Sequence, residues 1–235
     1  MDHIHVLNVL FDTIIGPQDL PAFRGAFAHR VGLENEWFHN HDNSESEHKF
    51  HYRYPLIQYK RRGNQPQIVC IGQGVEAARM FFDNLVWDME MNGVLRPMQV
   101  EELVLRKYPI GIGEEMIYTY QLYDWQPLNQ KNYREYQSLQ GLMEIIQFLE
   151  PKLVAHIISF AKGIRWSIEQ KIQLEITEMY PIRTREFKGF EPVLFNFAFQ
   201  TNVLLPDGIG LGKGASTGFG NIRRRKQREE RHRNF

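Results

Sequence analysis

The chain has 235 residues with 28 Lys/Arg against 28 Asp/Glu, so it carries no formal net charge. Its 43% hydrophobic and 13% aromatic content is enough for a packed core, which excludes a globally disordered chain. The one cysteine, Cys70, excludes an internal disulfide framework and a cysteine-cluster metal site, and no run reaches the ~20 apolar residues needed to cross a bilayer. The start, MDHIHVLNVLFD, lacks the basic-then-apolar pattern of a secretory signal, so the expectation is a soluble, cytoplasmic protein with no membrane partner. The neutral total hides an asymmetry. Residues 223–235 hold seven Lys/Arg and two Glu, a local +5, which leaves −5 on the first 222 residues. A basic tail suits contact with a phosphate backbone, and it equally suits a merely solvated tail.

HIHVLNVLF (3–11) alternates, with Ile4, Val6, Asn8 and Leu10 on one face, and reads as a strand. In GPQDLPAFRGAFAHRVG, Leu20, Phe23, Ala26, Phe27 and Val31 recur at helical spacing behind an Asp19 N-cap. A polar, histidine-rich stretch follows from Glu34 to His48. FHYRYPLIQYKRR and PQIVCIG read as strands joined at Gly63–Asn64, a hairpin signal. The spacing of Val75, Ala78, Phe81, Phe82, Leu85 and Val86 predicts a helix through residues 75–90, and residues 94–108 and 114–125 read as a strand pair closing the first part. This order of strand, helix, hairpin, helix and strand is that of a split βαβ, ferredoxin-like unit. Residues 129–166 are helical in pattern, with Pro151 expected to break or kink the helix. Strands return at 171–182 and 193–205, before LPDGIGLGKGASTGFGNIRRR. The organisation read from this pattern is α+β, with domains at 1–125 and 126–222 and a basic tail at 223–235.

Six glycines, Gly208, Gly210, Gly212, Gly214, Gly218 and Gly220, fall within thirteen residues. Glycines permit positive φ and close backbone approach, so such a loop can turn N–H groups towards an anion, or can simply be a flexible surface loop. A Walker loop is excluded because Gly214 follows Lys213 and Asp207 stands where a glycine is needed. A dinucleotide fingerprint is excluded because Ala215 replaces its last glycine.

His39 and His41 lie in WFHNHD, with His48 and His51 behind them. Three readings are open for them. They can be solvated loop residues or metal ligands, although neither a zinc-hydrolase spacing nor His-Glu-x-x-His is present. They can also act on RNA without metal, one taking the 2′-OH proton and the other protonating the 5′-oxygen leaving group, since imidazole titrates near neutral pH. In extended chain, residues two apart share a face with α-carbons about 6.5–7 Å apart, close enough to flank one phosphodiester. Charge building on the phosphorane calls for a cation, and Lys60, Arg61, Arg62 and Lys213 are the candidates. The three on residues 60–62 equally suit a charged strand edge that discourages aggregation.

GIGLGKGASTGFG, after a strand and near the C-terminus, resembles the glycine-rich loop of the repeat-associated RNA-binding (RAMP) superfamily. FRGAFAHR, WFHNH and YRYPLIQYK resemble the N-terminal half of the CRISPR repeat endoribonucleases found with type I-B systems. The resemblance covers both ends and most of the first sixty residues, and the helical middle only loosely. It implies tandem ferredoxin-like (RRM-like) domains, the second degenerate, with the glycine-rich loop leaning on a sheet and touching RNA. It further implies metal-independent cleavage of CRISPR repeat RNA by His39 and His41, without cofactor, leaving 2′,3′-cyclic phosphate and 5′-hydroxyl ends. Lys60, Arg61, Arg62, Gly210, Gly212, Lys213, Gly214, Ser216, Arg223, Arg224 and Arg225 would hold the repeat. Effector-complex subunits and a second copy of the chain are further partners the resemblance admits. The alternative it leaves is a non-catalytic RNA-binding subunit of a CRISPR ribonucleoprotein.

Overall fold

The computed structural model describes residues 2–32, 38, 54–79, 81–82, 86–185 and 191–225. The first unit starts with β1 (Asp2–Phe11), α1 (Leu20–Val31), β2 (Ile57–Arg62), β3 (Gln65–Ile71) and α2 (Gln73–Arg79). The hairpin β4 (Met89–Met91) and β5 (Val94–Arg96) follows, and then the long strand β6 (Val100–Ile112). The second unit holds β7 (Tyr118–Trp125), α3 (Gln130–Ser138), α4 (Leu142–Gly163), β8 (Leu174–Met179), β9 (Arg183–Thr184), β10 (Val193–Thr201), β11 (Val203–Leu204) and β12 (Asn221–Arg224). One sheet runs β11-β6-β1-β3-β2 and the other β12-β7-β10-β8. Counting the main strands within each unit, both have the fourth-first-third-second order of the ferredoxin-like fold. The second unit is degenerate because β11 and the glycine-rich segment stand where its second helix would be.

β1 is central and, from Val6 onwards, is covered on both faces. Leu7, Val9 and Phe11 pack with Ile57, Tyr59, Ile68 and Cys70 against Phe23 and Phe27 of α1. Ile4 and Val6 face the other way, into a core shared with β7, β10 and α4. The alternating face expected from Ile4, Val6 and Leu10 holds at the start of β1, where His3 and His5 are exposed, whereas from Val6 onwards both faces are covered. At α1, Asp19 is the residue before the first turn. Its carboxylate accepts from the Gly16 amide (2.9 Å), closing the preceding 3-10 turn rather than capping the helix.

The expected helix over 75–90 is corrected. Helix α2 ends at Arg79, and the chain turns into β4, which pairs with β5 across Asn92 and Gly93, both at positive φ (53° and 76°). Asn-Gly supplies the φ > 0 pair that a tight hairpin turn requires. Pro97 then separates β5 from β6, so the expected strand 94–108 is two strands. The expected pairing of that strand with 114–125 is also corrected: β6 pairs β1, whereas β7 pairs β10 and β12 in the second sheet. Pro151 lies within the single helix α4. Both Pro151 and Gln147, whose carbonyl loses its helical donor, are exposed, so water can serve that carbonyl. No described helix is long and apolar enough to cross a membrane.

The two sheets are joined where β10 ends and β11 leaves to pair β6. Asn202, buried at this step, accepts from the Gln173 amide (2.8 Å) and donates to the carbonyls of Gly113 (3.0 Å) and Lys171 (3.1 Å). Its backbone bonds Gly113 and Gln173 as well. Asn202→Ala is expected to lower the unfolding free energy by about 2–3 kcal/mol, because buried partners are left unpaired, as measured by urea denaturation.

Candidate nucleic-acid interface

The glycine-rich segment is a packed hairpin-like structure rather than a loose loop. Residues 208–211 run against 220–222, with Gly208 N–H on Ile222 O (3.0 Å), Ile222 N–H on Ile209 O (3.0 Å) and Leu211 N–H on Gly220 O (2.8 Å). A 3-10 turn at Ala215–Thr217 closes it, flanked by Gly214 (φ 73°) and Gly218 (φ 87°). A Cβ at Gly220 would lie 1.9 Å from the Leu211 carbonyl oxygen, so only glycine fits there. Ile209, Leu211, Ala215 and Phe219 are buried beneath it. The amides of Gly208, Gly210, Leu211, Lys213, Ala215, Thr217, Phe219, Gly220 and Ile222 all donate to protein acceptors. Most of the donors that could have cradled an anion thus hold the segment together.

The segment is fastened to β2 and the residues before it. Gln58, fully buried, accepts from Gly210 N–H through Oε1 (2.8 Å) and donates through Nε2 to the Tyr54 hydroxyl (2.8 Å). That hydroxyl donates to the Gly210 carbonyl (2.8 Å), so both polar groups of one peptide residue are held. Lys60, two residues on and on the same face, is 4% exposed and its Nζ donates to Gly208 O (2.5 Å). Burial pulls its pKa down to about 7, against a smaller opposing pull from Asp207. Of the residues expected to face RNA, Lys60 is therefore turned inward.

The others divide into two groups. Lys213, Arg223 and Arg224 are exposed, and Ser216, Gly212 and Gly214 are half-buried along the same segment. The Arg224 guanidinium also lies over the Tyr118 ring, 5.1 Å from its centroid. Arg62 instead forms a bidentate pair with Glu102 (2.8 and 2.9 Å). Arg61 reaches the Asn64 side chain (2.9 Å), and Arg225 bonds Glu178 and the Tyr180 hydroxyl. His39 and His41 lie outside the described residues. The chain enters their segment at Phe38, which is buried against Phe27 and Phe81 and whose carbonyl accepts from the Tyr59 hydroxyl (3.4 Å). Tyr59 is next to Lys60, and a Cβ at Gly218 would lie 3.6 Å from its carbonyl oxygen. The anchor of the histidine segment and the glycine-rich turn thus meet on β2.

Sequence reading passes over one histidine beside this segment. His156 on α4 accepts from the Trp125 indole N–H through Nδ1 (3.0 Å), which leaves its proton on Nε2. A Cβ on Gly212 would lie 2.7 Å from that Nδ1. The signal exists only in three dimensions, because Trp125, His156 and Gly212 are far apart in sequence. Burial pulls the His156 pKa down to about 4, against an ordinary 6.5. The unfolded chain therefore binds the extra proton between those values, and stability falls as pH drops from about 6.5 to 4. Melting curves across this range should show the fall, and His156→Phe should flatten it. Gln58→Leu should destabilise by about 1–3 kcal/mol in chemical denaturation, through the unpaired Gly210 amide and Tyr54 hydroxyl.

Comparison with known proteins agrees with this architecture. The family model for the Cas6b N-terminal domain matches residues 2–108, and that for the Cas6b C-terminal domain matches residues 112–225. A solved structure described as Cas6b superposes with a TM-score of 0.79 at 25% identity, covering 95% of this chain and all of the other. A second, described as the CRISPR RNA processing endoribonuclease Cas6b, gives 0.68 at 23% identity, with 95% and 100% coverage. An uncharacterized protein of Methanocaldococcus jannaschii is 34% identical over 114 residues, 48% of this chain and 75% of its own. With both domain models matched along nearly its whole described length, the chain belongs to the Cas6b family.

Proposed function

We propose that this protein cuts CRISPR repeat RNA without a metal, with His39 and His41 serving as the general base and general acid. In this reading the 2′-OH loses its proton to one imidazole and attacks the adjacent phosphorus. The 5′-oxygen leaves with a proton from the other imidazole, giving a 2′,3′-cyclic phosphate and a 5′-hydroxyl. The observation that carries the reading is the meeting, on β2 of a Cas6b-family fold, of the Phe38 anchor that leads into WFHNH with the glycine-rich turn. Exposed Lys213, Arg223 and Arg224, with half-buried Ser216, supply the cationic and polar groups for the repeat backbone. Arg61, Arg62 and Arg225 join them when phosphate takes the place of their present partners.

The test is cleavage of a labelled repeat RNA in excess EDTA, with product ends identified. The wild type should cut, and His39→Ala and His41→Ala should each slow cutting by roughly 10²–10⁴-fold while RNA binding is retained. Cutting that stops in chelator, or variants as fast as wild type, would overturn the reading. Tight binding with no cutting would make the protein a scaffold subunit. Separately, Lys213→Ala and Arg223→Ala should weaken binding across RNA sequences. Removing one phosphate-binding cation should lower the steepness of the salt dependence by about 0.7 for single strands.

A further inference from the structure

One buried polar group beside the glycine-rich segment has no partner. Gln126, the residue directly after β7, is 5% exposed, and no hydrogen bond among the described residues uses its Nε2. Arg61 Nε and Arg96 Nε are buried in the same condition, but their guanidinium groups bond the Asn64 side chain and the Ile14 carbonyl through other nitrogens. Gln126 alone leaves a whole donor group unused. A buried amide without an acceptor lowers the stability of the fold, so its presence calls for a physical reason.

The place of the amide supplies one. Gln126 and Lys213 form an antiparallel bridge, in which the Gln126 carbonyl accepts from the Lys213 N–H (3.4 Å). Directly opposed residues send their side chains to one face, so the unused amide and the exposed ammonium lie side by side. The corner that carries Lys213 is also loosely tied. The bonds from Lys213 N–H to Gln126 O and from Ala215 N–H to Gly212 O are both 3.4 Å, whereas those at Gly208, Leu211 and Ile222 are 2.8–3.0 Å. Gly212 and Gly214, on either side of Lys213, are both at positive φ and give the corner two points about which to turn.

We infer that Gln126 and Lys213 together hold one phosphate of the RNA, the ammonium meeting its charge and Gln126 Nε2 donating to a non-bridging oxygen. Lys213 draws the phosphate in, the corner shifts slightly about its two glycines, and the oxygen supplies the acceptor that the folded chain lacks. A charged acceptor makes this bond stronger than a neutral one would. Such a contact fixes the position of the RNA strand and reads no base. The inference rests on the reading of the glycine-rich segment as an RNA surface, and adds to it a residue that charge counting passes over.

The test compares the full-length wild type with Gln126→Met, which keeps the length of the side chain and removes its amide. The probe is labelled repeat RNA methylated at its 2′-oxygens, so that it is bound without being cut. The variant should melt at or above the wild-type temperature, since an unused donor is lost, and yet bind the RNA about ten- to a hundredfold more weakly. A merely structural role would lower both together. With Lys213→Ala added, the loss should be smaller than the product of the two single losses, because both residues hold one phosphate. When uncharged methylphosphonate replaces the phosphates one at a time, a single linkage should remove most of the difference between the wild type and Gln126→Met. A variant that melts below the wild type would mean that Nε2 already has a partner, such as a buried water, and would overturn the inference. Binding equal to the wild type would do the same, as would a difference that persists at every linkage, which would point to a base. A wild type that does not hold the RNA would instead remove the RNA reading itself, and this inference with it.

Discussion

The arrangement depends on the clamp that Tyr54, Gln58 and Lys60 place on Gly208 and Gly210. Four hydrogen bonds join seven polar groups here, so each finds a partner as it leaves water, which is the condition for burying them at all. The glycine-rich segment belongs by chain order to the second unit, yet this clamp seats it on the first. Everything downstream, from the Ala215–Thr217 turn to β12, is positioned by where Gly210 is held. β2 is the outer strand of its sheet, and the turn lying against it covers part of an edge that would otherwise stand open.

The glycines serve close approach more than flexibility. Gly212 lies against the Trp125–His156 pair, Gly214 against the Phe219 ring and Gly220 against the Leu211 carbonyl. A side chain at any of them would push the segment away from the partner that fixes it. The two ferredoxin-like units therefore form one construction, joined by β11, by Asn202 and by the clamp. The large apolar cluster running from Ile4 and Val6 through Tyr54 to Leu153 and Phe197 says the same in packing terms.

Much of this architecture is legible in the sequence, and the failures have physical causes. Gly63–Asn64 marks a two-residue hairpin because it carries the needed φ, with Gly63 at +63°. Asn92–Gly93 carries the same signal but sits behind a run of apolar residues whose spacing also suits a helix, and that periodicity masks it. Alternation identifies Tyr118–Trp125 as a strand, but alternation reports faces, not neighbours, so it cannot say that β7 opens the second sheet. The site is less legible. Composition gives the number of its cations, whereas their direction depends on the pleat: Lys60 shares a face with Gln58 and turns inward, while Arg62, at the hairpin end, reaches Glu102. His156 escapes a linear reading because its partners are distant in sequence.

Charge counting also overstates the surface that can meet an RNA backbone, and the correction differs between residues. Moving Lys60 to solvent would break a buried hydrogen bond and release Gly208, so its charge is not free to meet a phosphate. Arg62 and Arg225 are different. Their pairs with Glu102 and Glu178 are exposed, with side chains between 38% and 45% accessible, and such pairs are worth only ~0–1 kcal/mol. A phosphate can displace either carboxylate at little loss, and it offers a guanidinium the same fork geometry. In the proposed reading, Arg62 and Arg225 each exchange a carboxylate for a phosphate when RNA arrives. Lys213, Arg223 and Arg224 are exposed on the segment that the clamp fixes, so their cations are held in place without being buried.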